Sequence, residues 1–169
     1  MPDVKLPGAD YEGLFRAVHG ADVEFILVGG AAATALGSSR LTLDLDVVYA
    51  RTPANIERLV RALAPLSPYL RGAPPGLPFR WDEDTLRRGL NFTLTTSRGD
   101  IDLLGEITGG GGYADLLPHT LEVVVFGMTV RCLGLDKLIE VKRAAGRPKD
   151  LEAIAELEAI REERSKLGS

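Results

Sequence analysis

The sequence predicts an α+β fold: a small mixed or antiparallel sheet with flanking helices, followed by a helical carboxyl-terminal segment. Three observations predict it. Short apolar or alternating strand-like runs recur through residues 23–133, two pairs of them joined by glycine turns. Runs with apolar residues at helical spacing lie between them, and everything after Leu133 reads as helix. At 169 residues the expectation is one domain over 1–169, with a core over about 20–133 and terminal helices over about 134–165.

The elements follow in order. Tyr11, Leu14, Phe15 and Val18 have the spacing of a short amphipathic helix over 10–19. Residues 23–28 are β-rich and end in Gly29-Gly30, and the small residues 31–36 favour helix, so this region reads as strand, tight turn, helix. Residues 41–49 alternate Leu43, Leu45 and Val47 with Asp44, Asp46 and Val48, the period of a strand with one buried face. Pro53 suits a first helical turn, and Ile56, Leu59, Val60 and Leu63 continue that helix. The stretch 65–78 has five prolines and two glycines and predicts a loop. Residues 82–88 suit one or two helical turns, 90–96 and 100–104 a hairpin around Ser97-Arg98-Gly99, and 121–126 and 128–133 a second hairpin around Gly127. The run Gly109–Gly112 reads as a flexible connector in preference to a phosphate cradle, since no strand leads into it. One helix begins near Leu135, and Pro148 opens another with Leu151, Ile154, Leu157 and Ile160 at spacing three.

Composition narrows the function. With 45% hydrophobic and 26% charged residues the chain is an ordinary globular one, and its net charge of -4 argues against a broad basic face for nucleic acid. No apolar run is long enough to cross a bilayer, residues 1–10 lack a secretory block, and the single Cys132 cannot form an internal disulfide; a cytoplasmic location is expected. His19 and His119 have no partner at metal-binding spacing, so zinc is not expected. Trp81 and Tyr69 read as packing residues before base-stacking ones.

The chemistry sits in the aspartates. Residues two apart on a strand point the same way, so Asp44 and Asp46 present carboxylates about 7 Å apart on one face. Magnesium takes hard oxygen ligands and completes its shell with water and substrate phosphates. A third carboxylate from another strand would complete a two-metal clamp for in-line transfer at phosphorus. Asp102 supplies it in preference to Asp100, which adjoins the turn at Gly99. One Asp-x-Asp alone reads more readily as the solvated face of a half-buried strand than as a site. What weighs toward a site is the order of parts: a Gly-Gly turn into a small-residue helix, the Asp-x-Asp strand, then a second acidic strand.

That order, in Phe25-Ile26-Leu27-Val28-Gly29-Gly30-Ala31-Ala32 followed by Arg40-Leu41-Thr42-Leu43-Asp44-Leu45-Asp46, resembles the signature of the DNA polymerase beta-type nucleotidyltransferase superfamily. Residues 135–142, ending in Val141-Lys142, and Ala145-Gly146-Arg147-Pro148-Lys149-Asp150-Leu151 resemble segments of minimal bacterial nucleotidyltransferases, including relatives of the AbiEii-type toxins. The resemblance covers roughly 23–157 without 65–78.

It implies a nucleotidyltransferase-like fold and Mg²⁺-dependent transfer of a nucleoside monophosphate from a nucleoside triphosphate to a hydroxyl on tRNA, a protein or a small molecule. It further implies that Gly29 and Gly30 receive the triphosphate, that Asp44, Asp46 and Asp102 bind metal, and that Asp102 activates the acceptor. Arg40 and Lys142 are candidates to neutralise phosphate charge, or are surface charges; Arg147, Lys149 and Asp150 read as an ion-pair cap on the last helix. Gly30 stands where relatives often carry serine, and Thr34, Ser38 or Ser39 could supply the missing hydroxyl. The likeness also raises a role in a toxin-antitoxin pair with an antitoxin partner; a homo-oligomer is equally open. The competing class is a catalytically silent nucleotidyltransferase fold that binds nucleotide or protein.

Overall fold

Phe25, Ile26 and Leu27 form strand β1, and all three are buried, as an apolar strand with neighbours on both edges requires. The computed structural model describes residues 10–39 and 44–168. β1 runs antiparallel to β2 (Asp44–Tyr49) and parallel to β9 (Met128–Leu133). β2 lies parallel to β5 (Gly99–Leu104), which pairs with β4 (Phe92–Thr96), and β4 carries the edge strand β3 (Tyr69–Leu70). On the other side β9 pairs with β8 (Thr120–Val125). The result is a seven-stranded mixed sheet, β3-β4-β5-β2-β1-β9-β8, flanked by helices as the sequence predicts.

Both predicted hairpins form. Phe126 and Gly127 join β8 to β9 with φ of 51° and 77°, the positive pair that a two-residue hairpin turn needs. Phe126 tolerates this because its ring packs edge-on against Phe15, with centroids 5.7 Å apart. Ser97 and Arg98 join β4 to β5, and Thr96 Oγ1 donates to Gly99 O at 2.7 Å across the turn.

The helices form two packed groups. One holds α1 (Tyr11–Gly20), α3 (Pro53–Leu63) and α4 (Glu83–Arg88); the other holds α2 (Gly29–Ala35), α6 (Leu135–Ala145) and α7 (Pro148–Leu167). α3 starts where Thr52 accepts from Asn55 N–H and Pro53 occupies the first turn. The fully buried Asn55 then ties three segments together: Oδ1 accepts from Glu24 N at 2.6 Å, and Nδ2 donates to Glu24 O at 3.0 Å and Ala50 O at 2.7 Å. This fixes where β1 begins and β2 ends.

Two regions differ from the sequence expectation. The proline-rich stretch carries a 3-10 turn (Ala64–Leu66) and strand β3, because Tyr69 and Leu70 pair with Thr95 and Leu94; cross-strand pairing overrides the local proline signal. The glycine run is no connector. It contributes β7 (Gly111–Gly112), which pairs with β6 (Glu106–Ile107), and a Cβ on Gly109 would meet the Ala144 methyl at 2.5 Å. A further short helix, α5 (Tyr113–Leu116), follows.

Candidate active site

Directly paired residues of adjacent strands project to the same side, so the register of β4, β5 and β2 builds two rows: Thr95, Asp100, Asp44 and Thr93, Asp102, Asp46. The row between them, Leu94, Ile101 and Leu45, faces the other way and is fully buried. The apolar layer behind anchors the acidic layer in front. Asp44, Asp46 and Asp102 each bring a carboxylate oxygen within 4.8 Å of the others, an arrangement able to hold a metal ion.

Asp46 is the most constrained of the three. Gly29 has φ +59°, and a Cβ there would collide with Asp46 Oδ2, so only glycine lets the start of α2 close on this carboxylate. Val28 N–H donates to Asp46 O at 3.0 Å, closing the same corner from the backbone. Burial, a hydrogen bond with Asp102 and the charges of Asp102 and Asp44 push the Asp46 carboxyl up to about 8, against the pull of the Gly30 amide. Without a cation, the Asp46 carboxyl therefore keeps its proton at neutral pH. Burial, then the charges of Asp44, Asp100 and Asp46, push the Tyr11 phenol up to about 12.

A cation is already present at the rim. Arg71, just past β3, directs Nη2 to Asp102 Oδ1 at 2.8 Å, Nε to Asp100 Oδ2 at 3.2 Å and Nη1 to Asp44 Oδ2 at 3.7 Å. Asp102 Oδ1 is buried and, despite this ion pair, has no aligned hydrogen-bond donor among the described residues. An acidic oxygen in that condition is suited to a metal ion.

Opposite the carboxylates stands a basic group from α6 and α7. Lys142 is 16% exposed, with Nζ 3.9 Å from Asp150 Oδ1. Burial lowers its pKa, and Asp150 opposes that shift. Asp150 is buried, which alone would raise its carboxyl, yet the Arg147 guanidinium and amide hold it below its ordinary value; Arg147 Nε donates to Oδ2 at 2.6 Å. Of the ion-pair cap expected from Arg147, Lys149 and Asp150 at the start of α7, the Arg147–Asp150 pair is formed. A cleft of about 540 Å³ joins the two sides, lined by Asp46, Asp102, Asn91, Leu138, Lys142 and Arg147 among others. A second, of about 330 Å³, continues past Gly29 and Gly30 to Ser38 and Lys149.

The structure thus brings Asp44, Asp46, Asp102, Gly29, Gly30 and Lys142 to one place. Arg40 lies outside the described residues. Ser38 Oγ donates to Glu156 Oε1 at 2.6 Å and Ser39 Oγ to Oε2 at 3.1 Å, tying the end of α2 to α7. Trp81 donates to Val60 O and Tyr69 packs edge-on against Phe79, so both aromatics serve packing. Arg71 was not legible as a site residue, because it sits in the proline-rich stretch that reads as loop.

This constellation sits on a nucleotidyltransferase-type fold. The chain is similar in structure to a candidate nucleotidyltransferase from Thermotoga maritima, with TM-score 0.51 and 13% identity over 92% of this chain and 93% of that one. It is also similar to the antibiotic-resistance factor ANT(2″)-Ia in a solution structure (TM-score 0.49, 17% identity, 94% of this chain, 91% of that one). The same factor in complex with adenylyl-2″-tobramycin gives TM-score 0.49 and 16% identity over 93% of this chain and 96% of that one. No protein-family profile matches the chain, and no curated protein matches it. Among the described residues no helix is long and apolar enough to cross a membrane.

Proposed function

We propose that this chain transfers a nucleoside monophosphate from a nucleoside triphosphate to a hydroxyl acceptor. The observation that carries the reading is the convergence of Asp44, Asp46 and Asp102 from two parallel strands onto one point beside the Gly29 corner. Hard, anionic oxygens in a rigid set suit Mg²⁺, and the buried, undonated Oδ1 of Asp102 fits such an ion. Asp44, Asp46 and Asp102 would hold it, and when bound it supplies charge neutralisation at the phosphates and a more acidic acceptor hydroxyl.

The remaining work belongs to the chain. Asp102 takes the proton of the acceptor hydroxyl as its oxygen bonds to the α-phosphorus. The bond from that phosphorus to the bridging oxygen breaks, and pyrophosphate leaves with the electron pair. Lys142, Arg147 and Lys149, across the cleft, offset the charge gathering on the leaving group. Gly29 and Gly30 admit the triphosphate close to the backbone, and Asp46 already accepts from the Gly30 amide. The finer likeness to AbiEii-type toxins rests on the segments that form α6 and the start of α7, which line this cleft.

The test is incubation with Mg²⁺ and labelled triphosphates, offering total cellular RNA, total protein and small polyhydroxyl acceptors in turn. Transfer or pyrophosphate release, lost in Asp44→Asn and Asp46→Asn, is the expected result. Triphosphate binding with no turnover on any acceptor would identify a silent binding module instead.

A further inference from the structure

We propose that Arg71 is a positioning residue that acts as a built-in counter-cation: it holds Asp102 and Asp100 and restrains the carboxylate cluster from taking up a divalent ion on its own. The inference rests on the metal-binding reading above and assigns a role to a side chain outside the acidic set.

The geometry is specific. Arg71 N–H donates to Thr93 O at 3.0 Å, which fixes the residue beside β4, one strand away from β5 and two from β2. Strands lie about 4.8 Å apart, so its side chain must cross β4 to reach Asp102 and cross β5 as well to approach Asp44. What it crosses is Thr93 and Thr95, the two small residues that β4 contributes to the acidic face. Nη2 also donates to Leu94 O at 2.8 Å, which pins the guanidinium in place along the way. The side chain is only a quarter exposed. Isolated exposed ion pairs are worth little and networks more; this guanidinium is shared among three aspartates of two strands.

The consequence is electrostatic. Four aspartates, Asp44, Asp46, Asp100 and Asp102, share one face within two strands. Arg71 offsets one of their charges and repels an incoming cation, so the bare site binds divalent metal weakly and fills with metal when a triphosphate brings further negative charge. At contact range a unit charge alters divalent-ion affinity by about tenfold or more even when well screened.

The experiment titrates Mn²⁺ alone, without nucleotide, into the full chain and reads bound ion by electron paramagnetic resonance. Arg71→Gln and Arg71→Met should bind Mn²⁺ about tenfold or more tightly than the unsubstituted chain, while Arg71→Lys, which keeps the charge, should stay within about threefold of it. A purely structural role predicts the opposite, weaker binding as the acidic face loosens. Circular dichroism checks folding: an uncharged variant that folds only after Mn²⁺ is added supports the proposal, and one that stays unfolded with Mn²⁺ overturns it. Equal or weaker binding by the folded uncharged variants also overturns it, and leaves the site itself intact provided Asp46→Asn still abolishes binding. If the unsubstituted chain and every variant fail to bind Mn²⁺, both this inference and the metal reading fall.

Discussion

Asp46 and Asp102 occupy directly paired positions on neighbouring parallel strands and hydrogen-bond to one another. Two carboxyl groups can do this only if one carries a proton, and burial places that proton on Asp46 up to about pH 8. A divalent ion must displace it.

Metal binding should therefore release a proton and tighten as pH rises from 6 to 9. Calorimetry in buffers of different ionisation enthalpy measures that release. The sign for stability is the reverse. The folded value lies above the unfolded carboxylate value of about 4, so the stabilising contribution is complete below pH 4 and is lost as pH climbs through about 8. The metal-free protein should melt lower at pH 9 than at pH 6, and Mg²⁺ should shrink the gap. A pH-independent metal affinity would contradict this.

Gly29→Ala should strain a left-handed backbone by about 1–2 kcal/mol and push Asp46 aside. We expect a lower melting temperature and metal affinity reduced by at least about tenfold. Gly20, where a Cβ meets nothing within 4 Å, is the control, and Gly20→Ala should leave both properties unchanged or raise stability slightly.

Lys142→Met removes a largely buried ammonium that faces the carboxylates and neighbours Asp150. If it acts on charge formed at the leaving group, kcat should fall by about a hundredfold with KM changing far less. Steady-state kinetics separate the two, and a change confined to KM would reassign Lys142 to ground-state binding.

Asn55→Ala removes the buried side chain that the Glu24 amide and the Glu24 and Ala50 carbonyls share. The expected loss is about 2–4 kcal/mol in urea denaturation. Metal affinity of the folded fraction should be unaffected, since Asn55 lies outside the cleft lining.

Much of the site was legible because it is written in period two. Alternation in Leu43–Val48 and Asp100–Leu104 told which side chains share a face, and the Gly-Gly corner located the neighbouring turn. What alternation cannot tell is register, and register is what sets Asp46 beside Asp102 and Asp44 beside Asp100. Arg71 escaped notice for a related reason. Prolines 65, 68, 74, 75 and 78 mark its surroundings as loop, and its importance comes from pairing Tyr69 and Leu70 with Thr95 and Leu94, 26 and 24 positions on. The Glu156 tie to Ser38 and Ser39 spans more than a hundred residues and leaves no local pattern at either end.

The most direct test is anomalous diffraction from crystals grown with Mn²⁺ and a non-hydrolysable nucleoside triphosphate. The account predicts a manganese peak coordinated by Asp44, Asp46 and Asp102, with the α-phosphate against it and the β- and γ-phosphates toward Lys142 and Arg147. Nucleotide bound elsewhere, or no manganese between those three carboxylates at millimolar concentration, would contradict it.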